Sequence, residues 1–518
     1  MFDGICVAIL IAYFLHFALA ALRGGFREDE MMNLWTYWHA GALKSLWANI
    51  FFWSPFYRPG GALYYLPLYS LYGLSPQPYR LVQIGILAAS IPMVWYLGRL
   101  LASSRSVAFL AVLALCYHAR LAKLVFSGSF IYDVLCGFFY FAALTYYFHI
   151  REKGFPLRPM QLLGFLALYV CALDCKEMAV TLPVIVLIYE VLKCPRLGDW
   201  KQFVRCNWRF AVPSLIAGLL TAIYIYGKTH GSGALTRFDA YRPRYSWHNF
   251  VTSNAKFVGE LLFLDHVMSP KVLLVLWAAV FIYAFIRQDR ALQLMAFWIV
   301  IVSLPLAFIR PIRSGACLYL LLFGWAVIFG KLASDLIMLI SKFSILIGQR
   351  VGVGAATGAI IARVITNRVR AAPIGVVVDA TASKLSLWVF RVVATILVAS
   401  ALALFIQREN KRLRVRGPTV GNKTSHVIEA FRSLDLRPTP GSNILLSLNE
   451  NSFRNKWNVV FIAYLVWNDH SLRIWLEGVH KLTPRQIANM NYVISVTEFD
   501  AKVFDAKVIR SPEIRSDQ

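Results

Sequence analysis

The run Phe26-Arg27-Glu28-Asp29-Glu30-Met31-Met32-Asn33 sets three acids side by side just after the first long apolar segment. A carboxylate fixed at a membrane boundary can take the proton of an attacking hydroxyl, the work of a general base. Acids in a first helical turn also interact favourably with the helix dipole, by ~0.3–1 kcal/mol each, so the cluster equally suits a helix start. Its company argues for chemistry. Arg58 follows in Phe56-Tyr57-Arg58-Pro59-Gly60-Gly61, and Asp133 stands in Ser129-Phe130-Ile131-Tyr132-Asp133. Asp174, Lys176 and Glu177 crowd one short turn, and Arg310 and Arg313 share another. An acid within a span costs ~2.5–3.5 kcal/mol on insertion scales, which makes Asp133 a functional candidate unless it reaches the solvated interface.

Carboxylates and cations gathered on one face suit transfer of a sugar from a lipid phosphate. The accepting hydroxyl loses a proton as it attacks the sugar carbon, which needs one positioned base. The departing phosphate needs positive charge rather than a proton donor, and arginine offers it a bidentate fork. A hydrolase acting on a glycosidic ether would need two opposed carboxyl groups instead.

The elements that hold these residues are membrane helices. The 518 residues are 58% hydrophobic, with mean hydropathy +0.58. Several runs approach the ~20 residues that cross the ~30 Å hydrocarbon core, and they are too long and unbroken for barrel strands. Eleven spans are expected, near 5–22, 80–101, 106–123, 128–148, 160–174, 178–193, 210–227, 271–287, 291–309, 316–339 and 386–406. Ile5 to Leu22 lacks a basic flank and a small-residue cleavage site, so it reads as a retained helix. The formal charge of +26 reflects Lys and Arg clustered in loops, as the positive-inside rule expects, and implies no nucleic acid partner. Eight scattered cysteines with no CxxC pair support neither zinc nor a disulfide framework.

With the N-terminus in the cytoplasm, the acidic cluster, Arg58, Asp133, the 174–177 turn and the 310–315 turn share the outer face. The long first outer loop, 23–79, should carry an amphipathic helix from Met31 to Ala48, with Trp35, Trp38 and Trp47 at the interface. The Pro-broken stretch Leu63-Tyr64-Tyr65-Leu66-Pro67 suits a re-entrant or interfacial element. A cytoplasmic loop is expected over 340–385. Within it the Gly/Ala-rich stretch 351–366 could be an interfacial helix or another span, and a span there would move everything after it to the other side. Residues 1–406 form the membrane domain and 407–518 a small soluble α/β domain, expected on the outer face. Its expected strands are Asn443–Leu448, Val459–Val466 and Tyr492–Val496, with other elements at Leu472–Glu477 and Thr483–Met490. Asn422-Lys423-Thr424 fits a glycosylation sequon.

Three stretches resemble the GT-C superfamily of polyprenyl-phosphate-sugar-dependent glycosyltransferases, in particular the protein O-mannosyltransferase-like branch, glycosyltransferase family 39. They are Asp29-Glu30, then Phe56-Tyr57-Arg58-Pro59 with Tyr64-Tyr65-Leu66-Pro67, and Cys175-Lys176-Glu177-Met178-Ala179-Val180-Thr181-Leu182-Pro183. The order of spans to about residue 340 is similar as well. The resemblance implies an inverting transferase that moves a sugar from a dolichyl- or undecaprenyl-phosphate donor to a hydroxyl acceptor on a lipid, glycan or protein. It implies an active site on the periplasmic or lumenal face, in a bacterial inner membrane rather than the endoplasmic reticulum. Asp29 becomes the base with Glu30 beside it, and Arg58, Arg310 and Arg313 hold the donor phosphate. Tyr57, Tyr64, Asp133, Lys176 and Glu177 shape the pocket. No cofactor is required, although a divalent cation at Asp29, Glu30 and Asp133 stays open. No MIR-like domain is recognisable, so protein O-mannosylation is not implied. The rival reading is a transporter or flippase for a lipid-linked sugar, but the chain lacks the internal repeats such folds often show. A scaffold displaying the C-terminal domain would leave the long first loop without a purpose.

Overall fold

The computed structural model describes residues 2–50, 58–193, 208–230, 239, 242–264, 267–313, 315–350, 375–414, 422–434, 436–448, 455–480, 482–497 and 501–504. Among the described residues, seven helices are long and apolar enough to cross a membrane: Phe2–Arg23, Pro76–Ala102, Gly128–Glu152, Trp208–His230, Arg290–Ala307, Gly315–Leu339 and Arg391–Arg408. The pair Arg105–Cys116 and Ala119–Phe126, bent by 45°, makes an eighth if it counts as one span. Every expected span holds a helix, but three fall short of this standard. Pro159–Cys175 and Pro270–Ile286 have 17 residues each and Leu182–Lys193 has 12. At 1.5 Å per residue, 17 residues rise only ~25 Å, less than the ~30 Å hydrocarbon core. Helices Tyr319–Arg350 and Gly375–Arg414 run well into the expected 340–385 loop. The stretch 351–366 lies outside the described residues.

Among the described residues up to 193 the α-helices are α1 (Phe2–Ala18), α2 (Glu28–Ala40), α3 (Ala42–Ile50), α4 (Ala62–Tyr72), α5 (Pro76–Ala102), α6 (Arg105–Cys116), α7 (Lys123–Phe126), α8 (Ile131–Glu152), α9 (Pro159–Cys175) and α10 (Leu182–Lys193). The single helix expected over Met31–Ala48 is two, α2 and α3. Gly41 divides them at φ +84, a conformation that a side chain disfavours, and its N–H closes the end of α2 on Tyr37 and Trp38 carbonyls. The stretch expected to form a re-entrant or interfacial element is helix α4, with Tyr64 and Tyr65 buried and Leu63 and Leu71 exposed.

The C-terminal region is an α/β unit with sheet order β2-β1-β3-β4, built from β1 (Asn443–Leu448), β2 (Arg473–Leu476), β3 (Tyr492–Val496) and β4 (Ala501–Phe504). β1 pairs in parallel with β2 and β3, and β3 pairs antiparallel with β4. The strand expected at Val459–Val466 is instead helix Trp457–Trp467. An unbroken apolar run does not distinguish a buried strand from a buried helix, and the parallel β1–β2 pair needs a crossover there. Leu472–Glu477 supplies β2. In the sequon, Thr424 is buried within helix Asn422–Ser433.

This unit docks on α2. Trp38 Nε1 donates to Asn468 Oδ1 at 2.8 Å, and the Trp38 ring stacks on His470 at 3.7 Å. From α4, Tyr69 donates to the Leu465 carbonyl at 2.6 Å.

Candidate active site

The first turn of α2 carries the acidic cluster, as dipole complementarity favours. Its two candidate acids part company at once. Asp29 lines a cavity of about 800 Å³. Glu30 is 1% exposed and receives Arg80 Nη2 at 2.9 and 3.1 Å and the Gly128 N–H at 2.7 Å. Arg80 is itself fully buried and also donates to the Gly25 carbonyl at 2.8 Å. A side chain at Gly128 would meet Arg80 Nη1 at 2.8 Å and the Glu30 carboxyl at 3.0 Å, so glycine lets this brace close. Glu30 thus fixes α2 to α5 and to the turn before α8, while its neighbour faces the cavity.

Arg58 is held from three sides. The Tyr37 hydroxyl donates to its carbonyl at 2.5 Å, its guanidinium lies 5.0 Å over the Tyr132 ring, and Nη2 meets Glu177 Oε2 at 3.2 Å. Tyr37 and Tyr132 hydroxyls are 2.9 Å apart. Burial, reinforced by Tyr132, pushes the Tyr37 phenol well above its ordinary pKa, so it stays protonated and donates. The chain reaches this position through Gly60 and Gly61. A β-carbon at Gly60 would lie 2.7 Å from Cys175 Sγ, and one at Gly61 would collide with Tyr132 and Tyr37.

Lys176 forms a buried ion pair with Asp133 and lies 3.3 Å from Cys317 Sγ. Burial alone would lower the Lys176 pKa, but Asp133 outweighs it and the ammonium is held above its ordinary value. For Glu177 burial pulls upward, and Arg58 with Lys176 overcomes it, holding the carboxyl below its ordinary value. Asp29, Arg58, Asp133, Lys176, Glu177 and Arg313 therefore share one cavity. Arg310 is not among its walls; Nη2 donates to Asn249 Oδ1 at 2.8 Å. Tyr64 is also absent from the walls, buried and donating to the Tyr79 carbonyl at 2.7 Å. Tyr57 lies outside the described residues.

The cavity adds residues that the sequence reading passed over. Lys123 and Lys228 join its walls, giving five basic side chains against three acidic ones. Each had a signal: Lys123 opens a short helix just before the Gly128 turn, and Lys228 ends a long apolar helix. Arg80 was equally legible as a charge on the inner face of α5. The remaining wall is mostly apolar. Val184, Ile225 and Leu304 line the cavity and are also 43%, 46% and 40% exposed, so apolar side chains frame part of its opening.

The carboxylates named as cation hosts do not fit one. Glu30 is taken by Arg80 and Asp133 by Lys176, and no group of three His, Cys, Asp or Glu suited to a metal occurs among the described residues.

No family model matches the chain, and no curated protein sequence matches it. Among solved structures it is similar to ArnT from Cupriavidus metallidurans in the apo state, with TM-score 0.50 and 14% identity over 95% of this chain and 92% of that one. ArnT bound to undecaprenyl phosphate gives 0.49 and 13%, over 96% and 93%. The archaeal oligosaccharyltransferase AglB from Archaeoglobus fulgidus, in complex with an inhibitory peptide and a dolichol-phosphate, gives 0.44 and 11%, over 96% and 69%. The likeness to apo ArnT, extending over nearly the whole of both chains, establishes that this multi-pass membrane protein has the GT-C fold.

Proposed function

We propose that the protein is an inverting glycosyltransferase that moves a sugar from a polyprenyl-phosphate donor to a hydroxyl acceptor at the outer membrane face. The observation that carries this reading is the cavity that joins carboxylates, an excess of cations and an opening framed in part by exposed apolar side chains. A ligand with a charged head and a long hydrocarbon tail fits those three features together. ArnT, which shares the fold, has been crystallised with undecaprenyl phosphate.

In the reaction the acceptor oxygen attacks the anomeric carbon and its proton passes to the Asp29 carboxylate. The bond from that carbon to the phosphate oxygen breaks, and the electron pair leaves with the phosphate. Arg58 and Arg313 stabilise the charge that gathers there. Glu177 fixes the Arg58 fork, and the Lys176–Asp133 pair supports the turn behind it. Glu30 positions the base by bracing α2, and Arg310 holds the neighbouring rim through Asn249.

The test is transfer of label from a panel of undecaprenyl- and dolichyl-phosphate sugars by purified protein in nanodiscs. Asp29→Asn should cut the rate by ~10²–10⁴-fold while leaving the thermal unfolding midpoint in place. Wild-type rates in Asp29→Asn would remove the assignment of the base. Movement of intact donor across the bilayer, with no transfer, would favour a flippase.

A further inference from the structure

The C-terminal unit is wound on both faces of its sheet. Ile444, Leu446 and Leu476 share a buried cluster with Val459 and Ile462 of helix Trp457–Trp467, whereas Leu445 and Val493 cluster with Ile487 of helix Pro484–Ala488. From β1 the chain leaves through helix Trp457–Trp467 toward β2, and from β3 it leaves toward β4 on the opposite side. Where neighbouring parallel strands send the chain in opposite directions, a crevice opens outside their carboxyl ends, and ligands of open α/β sheets bind there.

That carboxyl edge lies at the Asp29 end of α2. The Trp35 and Phe461 rings are 4.8 Å apart, and three residues on in each helix the Trp38 and Tyr464 rings are 6.4 Å apart, so the two helices run parallel. Counted at 1.5 Å per residue, Asp29 stands ~9 Å before the Trp35–Phe461 contact and Trp457 ~6 Å before it. The first turn of helix Trp457–Trp467 is fixed by Asn455, whose Oδ1 accepts the Trp457 N–H at 3.2 Å. Trp457 is 42% exposed. Its ring is set edge-on against His480 at 5.3 Å, and His480 Nδ1 accepts the Leu476 N–H at 2.9 Å. Asn458 is 3% exposed, and its Oδ1 has no hydrogen-bond partner among the described residues. Trp457 and Asn458 precede Phe461 by four and three residues, so both lie on the side of the helix that Phe461 turns to α2.

We infer that the first turn of helix Trp457–Trp467 is a saccharide-binding site, with Trp457 as its stacking platform and Asn458 as its hydrogen-bond acceptor. Naming that saccharide as the acceptor of the transfer rests on the function proposed above; the binding itself does not. A buried carbonyl oxygen without a donor destabilises the fold, and a ligand that brings the donor offsets the loss. Sugar hydroxyls bring donors in number, whereas a phosphate dianion and a prenyl tail bring none. The exposed indole face matches the C–H face of a pyranose ring, whose weakly positive hydrogens meet the negative face of the π-system. A glycan seated there is anchored at the same end of α2 as the base that takes the acceptor proton.

The experiment needs no donor. Full-length protein in nanodiscs is laid over an array of immobilised glycans and unglycosylated peptides, and the strongest hit is titrated in solution. Wild type should bind one or more glycans above the level of empty nanodiscs. Trp457→Ala and Asn458→Leu should each weaken the Kd about 10-fold, the size of one aromatic contact or one hydrogen bond. Asn458→Leu should keep the wild-type unfolding midpoint, and Trp457→Phe should keep most of the affinity, which a merely structural role would not predict. If Trp457→Ala fails to fold, Asn458→Leu decides alone. No glycan bound by wild type, an unchanged Kd in Asn458→Leu, or capture of bare peptides in place of glycans overturns the inference. Because no donor is present, each of those results leaves the transferase reading to its own assay.

Discussion

Two ion pairs stand close to the start of α2, and they differ in almost every physical respect. Glu30 and Arg80 are sealed, with side chains 1% and 0% exposed. Arg58 and Glu177 face the cavity, at 14% and 27%. In the sealed pair every oxygen of the acid is spoken for by Arg80 or the Gly128 N–H, so nothing is left for a substrate. In the open pair one guanidinium arm is held and the group remains beside the cavity. Asp29 belongs with the second set although it adjoins Glu30 in sequence. One residue along a helix is a turn of about 100°, enough to carry a carboxylate from a working surface into a brace.

The contrast is sharpest in variants of the brace. Arg80→Met leaves Glu30 as a buried charge without its ion-pair partner and should cost ~3–5 kcal/mol of stability. The double variant Arg80→Met/Glu30→Gln should recover much of it. Thermal unfolding of the four proteins checks this, and additivity of the two single changes would count against a coupled pair. Gly61→Ala comes next. Its β-carbon would meet Tyr132 and Tyr37, and the forced shift should cost ~1–3 kcal/mol while displacing Arg58. A raised donor KM with a modest fall in midpoint is the expected signature. Tyr37→Phe removes the bonds to the Arg58 carbonyl and to Tyr132 and should cost ~0.5–1.5 kcal/mol. Its effect should fall on donor affinity rather than on the pH dependence of the base.

The smallest expected effect is in the open pair. The Glu177 carboxyl is held below its ordinary value of 4.5. Its stabilisation is therefore complete above that value and is lost as pH falls through the lower folded-state value. The gap in unfolding midpoint between wild type and Glu177→Gln should be widest at neutral pH and close as pH falls below about 4.5. A gap that stays constant on acidification would mean that the Arg58–Glu177 pair contributes no pH-linked stability.

Much of this was legible in the chain. Hydropathy located the helices, and the acid cluster, Arg58 and the Lys176-Glu177 turn stood out because charge is costly where they lie. What stayed hidden was partner choice. Nothing in Glu28-Asp29-Glu30 says which acid turns inward; that depends on Arg80, 50 residues away, and on Gly128 beyond it. Arg310 and Arg313 look equivalent in sequence, but Asn249 takes one and the cavity receives the other. Val459–Val466 is apolar throughout, and its helical form follows from the parallel strands it must connect.

The Trp38–Asn468 bond has a consequence for biogenesis. Its partners are 430 residues apart, and at 5–20 residues per second a ribosome needs roughly 20–90 s to cover that distance. Throughout that interval α2 is already made and its docking partner does not yet exist. Over that interval lipid headgroups, a setting that suits tryptophan, are the cover within reach of the first loop, and synthesis of the C-terminal unit is what brings protein over the helix bearing Asp29.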